Sequence, residues 1–133
     1  MHNHNDNLLI NLSNHPYAQW DERQKEAARL FGKCIDLPFP AVDPNGGETY
    51  IQSLAQKYRE HIHQLSSRTT GKVTVHIMGE MNFLYALLEM LKKDGMRCIA
   101  STSDRQSTYM GNGQKEALFV FVRFRDYFKT NQI

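Results

Sequence analysis

The sequence predicts an α/β domain with helices on both faces of a mostly parallel five-stranded sheet. Two observations carry this expectation. Short apolar runs alternate with longer stretches of helical periodicity, and together they read β-α-β-α-β-α-β-β. A third observation sets the topology. Right-handed crossovers favour the strand order 2-1-3-4, with strand 5 returning antiparallel beside strand 4. The expected build is a Rossmann-like three-layer sandwich with strand order 2-1-3-4-5.

The first strand is the apolar start of residues 8–13, Leu-Leu-Ile-Asn-Leu-Ser, which suits a strand buried on both faces. It turns polar at Asn11, Ser13, Asn14 and His15, and Pro16 stops it. A helix is expected over about 20–33, with Trp20, Gln24, Ala27, Ala28 and Phe31 inward and Asp21 and Glu22 near its positive end. Residues 34–40 read as a second strand ended by prolines, and 41–47 is turn chemistry. A second helix follows over 48–66, where Ile51, Leu54, Ala55, Tyr58, Ile62 and Leu65 fall at helical spacing. The β-branched run 73–78 is the third strand. A third, largely apolar helix opens at Gly79-Glu80-Met81-Asn82 and runs to about Lys93, with Gly95 as its left-handed cap. Residues 96–100 make the fourth strand, which goes polar at 101–105. A loop holding Gly111-Asn112-Gly113 leads to the fifth strand at 118–127.

With 133 residues the chain fits a single core, expected over 8–128 between tails at 1–7 and 129–133. A formal charge of +2 is too small for a broad grip on duplex nucleic acid, but leaves room for a local patch that reads one small anion. No apolar run approaches the roughly 20 residues of a membrane helix. The start, MHNHNDN, lacks the pattern of a secretory signal. A cytoplasmic location with no membrane partner is expected. Cys34 and Cys98 read as small buried hydrophobes in a reducing compartment. His2 and His4 fall in the tail, and His61 and His63 point to different faces of one helix, so no metal site and no cofactor are expected.

In open α/β sheets, ligands bind beyond the carboxyl ends of the strands where the winding reverses, here between strands one and three. Polar residues gather at that end: Asn11, Ser13, Asn14 and His15 after strand one, Gly79, Glu80, Met81 and Asn82 after strand three, and Ser101, Thr102, Ser103, Asp104 and Arg105 after strand four. Gly79 either makes only a tight turn or exposes the first amides of the following helix to an anion. Glu80 either caps that helix, orients a ribose hydroxyl or acts as a base. No Gly-x-Gly-x-x-Gly repeat or phosphate loop is present, which disfavours ordinary dinucleotide and triphosphate sites. Arg105 is a candidate phosphate ligand. Arg123 and Arg125 share a strand face, as charges that protect an edge do.

The segments LLINLSNHP, PFPAVDPN, VHIMGEMNFLYALL, RCIASTSDR and FVRFRDY resemble a group of small CRISPR-associated Rossmann-like proteins of antiviral defence. These are similar to the sensor (CARF) domains that bind cyclic oligoadenylate messengers, and the resemblance covers most of 8–128. Some relatives are ring nucleases that linearise the messenger; others only bind it. The resemblance implies a homodimer pairing two crevices around an even-numbered ring, with Tyr109 and Met110 at its rim. It also implies metal-independent opening by the ribose's own 2′-hydroxyl. Asn11, Ser13, Asn14 and the backbone after Gly79 would position the ring, with Met81, Asn82, Ser101, Thr102 and Ser103 beside it. Arg105 would hold phosphate, and His15 or Glu80 would move the proton. Two alternatives stay open: a non-catalytic sensor or sequestering protein, and an interaction module without a small ligand.

Overall fold

The structure is a computed structural model that describes residues 6–109, 111–113 and 115–129. Its sheet follows the order β2-β1-β3-β4-β5. The strands are β1 (Leu8–Leu12), β2 (Lys33–Asp36), β3 (Val73–Ile77), β4 (Arg97–Tyr109) and β5 (Lys115–Asp126), and the helices are α1 (Glu22–Arg29), α2 (Glu48–Ser66) and α3 (Met81–Lys93). The first four strands are parallel, and β5 lies antiparallel to β4. Fold class and strand order are as the sequence predicts. Asn7 ties the chain just before β1: its carbonyl accepts from Lys33 N and its side-chain oxygen from Lys72 N.

Alternation along the central strands separates two cores. Leu8, Ile10, Leu12, Val75 and Ile77 face α2 and α3, where Ile62, Phe83, Leu87 and Leu91 close the larger core. Leu9 and Ile99 face the other way, against Trp20, Ala28, Phe121 and Phe124. Asn11 and His76 have the same parity as Leu9, so both emerge on this smaller, aromatic side. At the far end of the larger core, Asp94 clamps α2 to α3 through Arg59 and through His63 Nε2 at 2.8 Å.

Two elements depart from the sequence reading in ways that bear on the site, a strand bulge adds a third feature, and β2 ends at Asp36, short of the expected residue 40. The first helix starts at Glu22, not near residue 20. Asp21 caps it by accepting from Gln24 N, and residues Tyr17–Gln19 form a separate 3-10 turn. Trp20 therefore sits between the turn and the helix in extended backbone, its ring buried on the sheet. The fourth strand does not end at residue 100. β3 pairs with it only over residues 97–99, but β5 supplies partners along the rest, so Ser101 to Arg105 are strand and not loop. The result is a two-stranded arm that extends past the carboxyl end of the sheet. Third, the register between the two strands shifts at Thr102/Ser103, leaving Val122 opposite no residue. This bulge places Phe121 and Phe124, three residues apart, on one face. Met110 lies outside the described residues.

Candidate functional site

The carboxyl ends of β1, β3 and β4 do meet at one cavity of about 560 Å³, lined by Ser13, Asn14, His15, Met78, Gly79, Ser101, Thr102 and Ser103. Trp20 and the start of α1 form a second wall, and Phe119 and Phe121 of the arm form a third. Phe119 is 65% exposed. His76 completes the lining.

Behind the lining, Asn11 organises the polar end. Its Nδ2 donates to Asp36 Oδ1 at 2.9 Å and to the His15 carbonyl at 2.8 Å. Its Oδ1 accepts from Ser13 Oγ at 2.8 Å and from His76 Nδ1 at 2.9 Å. Two donors and two acceptor sites are all an amide has, so Asn11 is saturated. Both of its N–H groups face oxygens, so His76 Nδ1 must carry the proton, and Nε2 is left as a lone-pair acceptor. That Nε2 is buried and hydrogen-bonds to no described residue. Trp20 and Phe124 pack edgewise on the imidazole at 5.2 and 5.5 Å between centroids. Burial first, and the nearby His15 second, push the His76 pKa down to about 4. The imidazole is neutral at physiological pH.

The loop after β1 is fixed from the same side. The His15 carbonyl accepts from Trp20 Nε1 at 3.0 Å as well as from Asn11, which holds residues 13–15 against the 3-10 turn. Ser13 is buried, whereas the Asn14 and His15 side chains are exposed at the cavity and make no hydrogen bond to another described residue.

Several expected site residues serve other ends. Glu80 caps α3: its two carboxylate oxygens accept from Asn82 N and Phe83 N, each at 2.9 Å. These are amides that an incoming anion would need, so the start of α3 is closed to one by its own chain. Gly79 lines the cavity, yet a Cβ there would stand 2.2 Å from the Phe39 ring, so close packing alone requires glycine. Met81 is 78% exposed and outside the cavity lining, and Asn82 lines a separate cavity with Gly46, Gly47 and Tyr85. Ser101 Oγ contacts Met78 Sδ at 2.9 Å, and the Thr102 hydroxyl exchanges hydrogen bonds with Arg123 N and O at the bulge. Ser103 lies at the cavity without a described partner.

Arg105 is absent from the described lining, but it pairs directly with Phe119 across the arm. Directly opposed residues project to the same face of a sheet, so Arg105 leaves the arm on the side that carries Phe119. Arg123 and Arg125 are exposed on the opposite face of β5 from Phe124. Cys34 and Cys98 are separated by β1 and β3, and burial, with help from Asp36 and Asp126 respectively, pushes each thiol up to about 12. Neither is a nucleophile at neutral pH.

Sequence reasoning missed His76, Trp20 and Phe119. A signal for the first was present. Asn11 and His76 are each the fourth residue of a five-residue apolar strand, and in-register parallel pairing sets them side by side.

Among the described residues no group of three or more His, Cys, Asp or Glu side chains could hold a metal ion, and no helix is long and apolar enough to cross a membrane. No curated protein and no solved structure matches the chain. A family profile whose description names no activity does match, over residues 7–125, a span that contains the buried residues of both cores and the whole cavity. The chain belongs to the uncharacterized protein MJ1673 family.

Proposed function

We propose that this chain is a cytoplasmic CRISPR-associated protein that binds a cyclic oligoadenylate in the cavity and opens it without a metal. One observation carries the reading: a polar rim from three strand ends faces, across one cavity, an exposed aromatic ring on the arm. Single-strand nucleic-acid sites stack bases on aromatic rings and follow the backbone with positive charge, and here Phe119 and the exposed Arg105 share one face of the arm. The cavity volume falls in the range of roughly 300–1,000 Å³ that small-ligand sites occupy. It takes part of a ring, so a whole ring calls for two protomers related by a two-fold axis.

In the opening step, the 2′-oxygen of one ribose attacks the adjacent phosphorus and the 5′-oxygen of the next nucleotide leaves. The 2′-proton passes to a base, and the leaving oxygen takes up a proton. Products carry a 2′,3′-cyclic phosphate and a 5′-hydroxyl. In this reading His15, exposed at the rim, moves the proton, because Glu80 is committed to its helix. Ser13 and Asn14 position the ribose, and Arg105 reaches the phosphate from the arm. A second reading, binding without cleavage, draws on the lining itself, where the described residues include no lysine or arginine to stabilise developing charge.

Incubation with cyclic tetra- and hexa-adenylate in EDTA, followed by chromatography and calorimetry, tests both. Binding with 2′,3′-cyclic phosphate ends supports ring opening, and binding without products supports the sensor. No binding of either ring overturns both. Loss of cleavage in EDTA, or products with 5′-phosphates, overturns the metal-free mechanism alone.

A further inference from the structure

His76 lines the cavity, and its Nε2, shielded in this structure, has one kind of contact to give a ligand. Its Nδ1–H is spent on Asn11, whose remaining bonds leave no other arrangement, so Nε2 can only accept. The residue is 2% exposed, and Nε2 has no described partner. A buried acceptor left unmet is costly, and no described residue meets it.

Its surroundings decide which ligand group fits. Trp20 and Phe124 wall the imidazole, and Phe121 adjoins Phe124 at 4.9 Å. Anionic phosphate oxygens would meet a lone pair in an aromatic enclosure and are repelled there. A flat ring carrying a donor on its edge suits both the walls and the lone pair. The hydroxyl-bearing rim at Ser13 and Ser103 and the exposed Arg105 lie toward the strand ends and the arm.

We propose that His76 reads the base of the bound nucleotide, with Nε2 accepting a hydrogen from the exocyclic amine of an adenine-type ring that enters the Trp20 side of the cavity edge first and shifts the aromatic ring that shields Nε2. This rests on the nucleotide reading above and deepens it. The base then lies inward and the phosphates outward, and amine-bearing bases are selected over bases that present hydrogen or a keto oxygen at that position. Neutrality of His76 is part of the device, because a protonated ring would present a donor and reverse the preference.

The test compares cyclic tetra- and hexa-adenylate with rings in which purine riboside or 2′-deoxyadenosine replaces adenosine. Wild-type protein should bind the purine rings at least tenfold more weakly than the adenylate rings, and the deoxy rings, which lose only contacts of the ribose, more tightly than the purine rings. His76→Phe should bind adenylate and purine rings alike. In wild-type protein labelled with 15N, the His76 Nε2 resonance should report an unprotonated nitrogen before ligand and move on adding the adenylate ring, but not the purine ring. This readout does not depend on the variant folding. Equal binding of adenylate and purine rings by wild type overturns the assignment of His76 and leaves the nucleotide reading standing. Discrimination only against the deoxy rings overturns base reading by His76. Failure of every ring overturns the nucleotide reading itself.

Discussion

Asn11 Oδ1 and His76 Nδ1 lie 2.9 Å apart across the β1–β3 pair, each on the fourth residue of a buried strand. That contact couples the loop after β1 to the floor of the cavity. Asn11→Ala leaves the buried Nδ1–H without its acceptor, while the Ser13 hydroxyl keeps the His15 carbonyl at 3.2 Å, and stability should fall by about 1–3 kcal/mol for the unmet group. With His76→Phe the two changes should be non-additive by roughly 0.5–3 kcal/mol, because the second removes a donor the first has orphaned. Urea denaturation of both single variants and the double variant checks this. Additive losses would mean that the contact does not form.

The depressed pKa of His76 makes stability depend on pH. Its folded value of about 4 lies below the unfolded value near 6.5, so the unfolded chain binds the extra proton first. The contribution is complete above pH 6.5 and is lost as pH falls from 6.5 to 4, by about 3 kcal/mol in all. Below pH 4 His76 adds no further loss. Denaturation across this window should show a slope in wild type that His76→Phe reduces. An equal slope in both would place the pH dependence elsewhere.

Glu80 is an N-cap in this fold. Glu80→Ala should lower stability by about 0.5–2 kcal/mol while leaving product formation from a cyclic oligoadenylate, measured well below the melting temperature, nearly unchanged. A variant that is stable but inactive would restore Glu80 as the proton carrier.

Gly79→Ala should destabilise by roughly 1–3 kcal/mol, since its Cβ would stand 2.2 Å from the Phe39 ring. Phe39→Leu should then be better tolerated in the Gly79→Ala background than in wild type, as thermal melts of the four chains would reveal. No rescue would point to a backbone requirement at this turn.

Arg105 and Phe119 share a face of the arm and are exposed, so alanine at either should leave melting unchanged. Each should weaken ring binding by about 1–3 kcal/mol, through a charge-assisted phosphate contact and a base stack respectively. Raised salt should narrow the Arg105→Ala difference more than the Phe119→Ala one. Calorimetry at two salt concentrations separates them.

Periodicity and composition by themselves determined the α/β class, the strand order and the limits of α2, because apolar spacing and crossover handedness act over short stretches and leave few alternatives. The polar ends of β1, β3 and β4 were legible for the same reason: strand ends go polar wherever they stand. Only the tertiary structure decided what those polar residues do. Of the three roles open to Glu80, the structure shows the helix cap, because its carboxylate accepts from the first amides of α3, and Arg105 passed from loop to strand because β5 pairs with β4 beyond the reach of β3. Trp20, Phe119 and His76 come together from three distant segments, and no local pattern marks such a meeting. A histidine in an apolar strand reads as an anomaly until its register neighbour is known; beside Asn11, with one nitrogen tied and one open, it becomes a specific acceptor.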